Sequence, residues 1–203
     1  MQARAIQRVT RAMAQRIETK VTAVPGFSDR VIVGPPNSPK AKDALIILFP
    51  YRLVASPALR NVERILPPKT PADGPQLFEH ALPLDVFYLV TTGSISDEPA
   101  DAQVGLQETL WESLGLAIQA LQDGPFLVGE EVEGDTVRLS LEPVTTEELN
   151  RIWSLFPNVD YRTSVVYLAS PVWIDALETP VAGPVVDDRR NVGQRAAGSV
   201  RAA

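Results

Sequence analysis

An α+β fold is predicted for this 203-residue chain: a mixed, mostly antiparallel sheet packed by two helices, with a helix ahead of it and an extended arm behind. Three observations carry the prediction. Asp101 to Leu121 and Thr145 to Phe156 repeat apolar residues at helical spacing. Leu45 to Val54, Leu84 to Thr91 and Tyr161 to Leu168 are runs of β-branched, aliphatic and aromatic residues suited to strands. Glu133-Gly134-Asp135-Thr136 is a hairpin signal, followed by Val137, Leu139 and Leu141 alternating with Arg138, Ser140 and Glu142.

Taken in order, Ala5 to Val21 places Ile6, Val9, Met13, Ile17 and Val21 on one helical stripe, with arginines over the rest. Such a helix needs a partner, and without Trp or Phe on the stripe that partner is protein before membrane. Pro25 and Gly26 close it; Val31 to Val33 form a short strand and Gly34 to Pro39 a stiff loop. Pro50, which donates no ladder bond, places the Leu45 to Val54 strand at an edge or a bulge. Ser56 to Pro75, with five prolines, reads as an extended irregular loop. Leu84 to Thr91 is apolar on both faces except at Asp85, as a central strand is. Leu106, Leu110, Leu114, Ala117, Ile118 and Leu121 form the inner stripe of the Asp101 to Leu121 helix, which Gly124-Pro125 stops. Phe126 to Val132 supplies the first hairpin strand. Thr145 and Glu148 have capping-box spacing, and Leu149, Ile152, Trp153 and Phe156 face one side. From Glu178 hydrophobic periodicity is lost, and Val181 to Ala203 reads as an extended or disordered arm. Three regions follow: a basic amphipathic helix over 1–24, one α+β domain over 25–178, and an extended or disordered arm over 179–203.

Length suits a single core. The absence of cysteine removes disulfides and thiolate chemistry and favours assembly in the cytoplasm. No apolar run is long enough for a membrane span. The net charge of −6 conceals an asymmetry: Arg4, Arg8, Arg11, Arg16 and Lys20 face only Glu18 in the first twenty residues, and the tail carries Arg189, Arg190, Arg195 and Arg201 against Asp187 and Asp188. An acidic body with basic ends is poorly suited to nucleic acid and well suited to other copies of itself.

No catalytic set, cofactor motif or metal-ligand spacing stands out. His80 is the only histidine, in LFEHALPLD before a strand, and a surface turn is its plainer reading. Glu130, Glu131, Glu133 and Asp135 form an acidic hairpin tip, read as a solvated patch able to meet a basic arm. Asp85 is expected to bond backbone or an arginine, and Trp153, Trp173 and Tyr161 to sit in the core. Candidate interface residues are Arg52 and Arg162, which need a partner or an exposed face, joined by Arg60, Asn61, Arg189 and Arg190. Two alternatives from other classes are a small hydrolase built on His80 and a membrane or nucleoid adaptor using the basic helix.

LFPYRLVASPALRNVE (Leu48 to Glu63), LPLDVFYLVTTGS (Leu82 to Ser94) and EPVTTEELNRIWSLFPNVDYRTSVVYLASPVWID (Glu142 to Asp175), taken together, resemble the cap proteins of contractile injection systems. These are the sixteenth gene product of Photorhabdus-type and antifeeding-prophage-type particles. The resemblance spans about Leu45 to Asp175. It implies a non-enzymatic tail terminator: a homo-hexameric ring on the distal end of sheath and inner tube that fixes particle length. Sheath and tube proteins are then the partners, with no nucleic acid and no membrane insertion, and the particle is either retained or released from the cell. The Ser56 to Pro75 loop is longer than the family pattern, and the tail beyond Glu178 has no counterpart in it.

Overall fold

The apolar stripes of the first two long helices end on the same face of one sheet. The computed structural model describes residues 4–23, 27–66, 76–78, 80–94, 100–175 and 181–182. Helix α1 is Ala5–Lys20, α2 is Ala100–Asp123 and α3 is Thr146–Trp153. The strands are β1 Asp29–Val33, β2 Ala44–Ala55, β3 Arg64–Leu66, β4 Gln76–Phe78, β5 Leu82–Thr92, β6 Phe126–Val128, β7 Thr136–Glu142, β8 Ser164–Ile174 and β9 Val181–Ala182. Six of them form a sheet in the order β1-β2-β5-β8-β7-β6, and β3-β4-β9 form a second, smaller one. Only β1 runs parallel to its neighbour in the large sheet; the other pairs are antiparallel. The α+β class and the central place of β5 stand as predicted.

Period-two alternation sorts the sheet's side chains to two layers. Ile46, Leu48, Val86, Tyr88, Val90, Val137, Leu139, Tyr167 and Ala169 pack with Val9, Met13 and Ile17 of α1 and Leu110, Leu114, Ala117 and Leu121 of α2. Phe49, Phe87, Leu89 and Val166 face the other way, where Ile152, Trp153 and Phe156 cover them. The N-terminal helix is therefore built into the main core. Two cross-strand neighbours, Tyr88 and Tyr167, tether the two long helices. The Tyr88 hydroxyl lies 2.9 Å from Thr10 Oγ1, which donates to the Ile6 carbonyl at 2.6 Å, and the Tyr167 hydroxyl donates to the Ile118 carbonyl at 3.4 Å. Burial pushes the Tyr88 phenol up to about 12, the bond to Thr10 pulling the other way.

Several expectations are corrected in detail. Strand β2 is internal rather than at an edge, while Pro50 does sit at a bulge, one of the two places expected for it, with the register shifting between Pro50 and Arg52. It also lies just past the last β1 rung, Val33 with Leu48, so the missing donor leaves no gap between those strands. The bulge turns both Tyr51 and Arg52 toward Phe87. The Ser56 to Pro75 stretch is not wholly loop, because Arg64–Leu66 pairs with Gln76–Phe78. Phe126 to Val132 is a strand only to Val128; Gly129–Val132 is a 3-10 turn, and Glu133 and Gly134 take φ of 53° and 88° to bring the chain back. The capping box is present: Thr145 Oγ1 accepts from Glu148 N, and Glu148 accepts from Thr145 N, which holds the Glu148 carboxyl below its ordinary value. The helix it opens stops at Trp153, and Phe156 packs from the turn that follows. Strand β8 begins at Ser164 rather than Tyr161 and runs on to Ile174. Just past the end of β5, Gly93 sits where a Cβ would lie 1.7 Å from the Ala44 carbonyl oxygen. Of the expected C-terminal arm, Val181 and Ala182 pair with β4; the rest lies outside the described residues.

Candidate assembly interface

Glu130, Glu131 and Glu133 of the acidic hairpin tip are exposed as expected, and two of them meet the basic helix. Arg8 of α1 pairs with Glu133 at 2.8 Å and Arg16 with Glu131 at 2.8 Å, so the basic helix meets the acidic turn within one chain. Arg16 does more. Leu139 N donates to the Pro125 carbonyl across the β6–β7 pair, so by alternation the Gly124 and Phe126 carbonyls point out of the sheet edge. The Arg16 guanidinium donates to both, reaching Phe126 at 2.9 Å. Two acceptors that the β6 edge would otherwise offer to a foreign strand are thus taken up by a side chain.

Asp135, the fourth acid, belongs to a buried cluster that sequence reading missed. Arg64 opens β3, is 3% exposed, and pairs with both Asp135 and Asp175 while its guanidinium lies 5.3 Å from the Phe78 ring and 5.9 Å from that of Trp173. One cation thus ties the small sheet to the start of β7 and to the residue after β8. Burial pushes the Asp135 carboxyl above its ordinary value; Arg64 opposes the shift and Asp175 adds to it. The signal for Arg64 was only its place between Val62 and Ile65, which does not distinguish a buried cation from an exposed one.

Among the candidate interface residues, Arg52 is exposed on β2 with its guanidinium 5.1 Å from the Phe87 ring. Beside it a groove of about 400 Å³ runs between β2 and the start of α3, floored by Tyr51, Phe87 and Val144 and rimmed by Glu148 and Arg151. Arg60 and Asn61 are exposed in the turn after β2. Arg162 is half-buried at the opposite end of the sheet, donating to the Thr92 carbonyl at 3.2 Å; burial lowers its pKa. Strand β5 runs from one of these ends to the other, 11 residues or roughly 35 Å at about 3.3 Å each. The set is therefore split between two poles, with Arg52 nearer the first. Arg189 and Arg190 lie outside the described residues.

The remaining candidates fall as follows. Asp85 accepts from Ser170 Oγ at 2.6 Å, instead of bonding an arginine or backbone. Trp153 is buried and donates to Ser164 Oγ at 3.2 Å; Tyr161 is 58% exposed against its ring, so it is no core residue. His80 is exposed in the turn before β5. The stripe of α1 that a membrane adaptor would present is occupied by the sheet. No described helix is long and apolar enough to cross a membrane, and no three metal-binding side chains cluster among the described residues.

Two surfaces were not foreseen. On α2, Trp111 is 52% and Val104 66% exposed, flanked by Glu108 and Glu112 on a helix that contains no Lys or Arg. On the sheet face that α3 leaves open, Phe126 is 49% and Val128 51% exposed, with Arg138 in register beside Phe126. These four are among a dozen large apolar side chains exposed on the described body.

The fold is shared with two solved assemblies. A sheath/tube terminator of an extracellular contractile injection system, PVC, in its extended state, superposes with a TM-score of 0.53 at 18% identity, over 96% of this chain and 65% of that one. The anti-feeding prophage cap, described as the AFP tube terminating cap, gives 0.54 at 16% identity, over 95% of this chain and 60% of that one. The chain thus spans less than two-thirds of either. No curated protein matches it. The family model described as the Pvc16 N-terminal domain matches residues 8–188, which takes in α1 from Arg8, all of α2 and the whole large sheet, and the chain belongs to that family.

Proposed function

We propose that this chain is the terminator of a contractile injection particle, six copies closing the distal end of inner tube and sheath as a ring and so fixing particle length. The observation that carries the reading is the extent of the likeness: 95–96% of the chain overlays proteins described as terminators or caps. The surfaces agree with it. A closed ring requires each subunit to present two different complementary patches. The acidic, Trp-bearing outer face of α2 and the Arg-bearing open face of the sheet lie on opposite sides of the body. The role is mechanical, through contacts with sheath and tube, and needs no turnover.

Deleting the gene from a producing strain tests this by electron microscopy. Sheaths and tubes of irregular length, restored to uniform length by the intact gene, are expected. Particles of normal length without the protein would overturn the reading.

A further inference from the structure

Resting on the ring reading only for the expectation that copies of this chain meet, we propose that the outer face of α2 around Trp111 docks on the open β6–β7 face of a second copy. Trp111 is exposed over half its surface, although every third or fourth position of the neighbouring stripe is buried. A large aromatic held outward on a rigid helix is the side chain that most often anchors a protein contact. Glu108 and Glu112 lie beside it on the same exposed side. They have no ion pair among the described residues, and no base on α2 offsets them.

The receiving surface has the opposite character. Phe126 and Val128 are half exposed on a strand whose other side chain, Leu127, is fully buried. Arg138, their neighbour on β7, is exposed and has no partner among the described residues. The next acid on that face, Asp85, is already bonded to Ser170. An apolar strip with an unpaired cation therefore faces outward on one side of the sheet, and an apolar strip with two unpaired anions on the other. One copy cannot bring its own two strips together, because the sheet lies between them. Two copies can, head to tail, and complementary charge sets the register while the apolar strips are buried. The Arg16 bonds to the Gly124 and Phe126 carbonyls fit this geometry, since they take up two backbone acceptors next to the strip.

The chain contains no cysteine, so single thiols report cleanly. Gly115→Cys and Thr136→Cys variants of the full chain, at exposed positions beside the two strips that leave Glu112 and Arg138 in place, are mixed and treated with a short bis-maleimide, both as purified protein and in particles. The expected result is a cross-linked dimer from the mixture at roughly tenfold the yield of either variant alone, as a head-to-tail contact requires. Equal dimer from one variant alone, or none from the mixture in either setting, overturns the proposal. Charge reversal supplies the second reading. Glu112→Arg and Arg138→Glu each weaken self-association by about tenfold, and the double reversal restores it; failure of the double variant to recover overturns the pairing. A chain missing from particles but cross-linking in solution would count against the terminator reading and leave this contact standing.

Discussion

One face of the large sheet is covered end to end by α1 and α2, of 16 and 24 residues, whereas the other carries the eight-residue α3 over part of its length. The covered face is filled by apolar side chains, with two tyrosine hydroxyls passed to Thr10 and to a helix carbonyl. The partly open face keeps an arginine over a ring, a Ser–Asp bond and a half-exposed apolar strip. The larger core thus lies on one side of the strands, and a smaller one around Leu89, Val166, Trp153 and Phe156 shares the other side with an open strip. Alternation along a strand makes this possible, because neighbouring residues of β5 or β8 answer to different layers.

The sharpest way to break the comparison is to truncate the covered face. Met13→Ala removes a side chain with no exposed surface and should cost about 2–5 kcal/mol in urea unfolding. A loss under about 0.5 kcal/mol, the range of an ordinary surface change, would mean that α1 is not part of the cooperative core.

High pH probes the same face without a cavity. The folded Tyr88 phenol is raised to about 12 from an ordinary value near 10, so the folded state holds its proton more tightly than the unfolded chain does. That contribution is complete below about pH 10 and is lost as pH rises toward about 12, by about 2–3 kcal/mol. Unfolding midpoints between pH 9 and 11.5 should show the loss, and Tyr88→Phe should flatten it; an unchanged slope in that variant would assign the effect elsewhere.

On the other face, Thr145→Ala removes the cap of α3 and should cost about 1 kcal/mol. The smallest effect belongs to the open strip. Phe126→Ser should change stability by less than about 0.5 kcal/mol while reducing self-association, measured by light scattering on the same samples. A large stability loss there would show that Phe126 serves the fold and would erase the contrast between the faces.

Much of the covered face was legible in the sequence because its signal is periodic. The α2 stripe of Leu110, Leu114, Ala117 and Leu121 is buried as spaced, and the Thr145 capping box is seen atom for atom. What was not legible depends on residues distant along the chain. The Arg64 cluster joins positions 71 and 111 apart in sequence, and neither Asp135 nor Asp175 announces a buried cation. The acidic turn read as solvated because its cations sit more than a hundred residues earlier. Trp111 was passed over because a helix stripe records what faces the core, not what is left outside it. Arg52 and Arg162 were marked for being charged in apolar strands, yet the structure gives one a ring and the other a carbonyl.

Arg16 gives the molecule a handedness unrelated to its net charge. At one lateral margin of the sheet a guanidinium already occupies two outward carbonyls, those of Gly124 and Phe126, so a backbone arriving there meets fewer open acceptors. Among the described residues, β1 bounds the sheet alone at the other margin. A visiting strand would thus compete with a side chain at one margin and meet only backbone at the other, which makes the two flanks of the sheet chemically unequal.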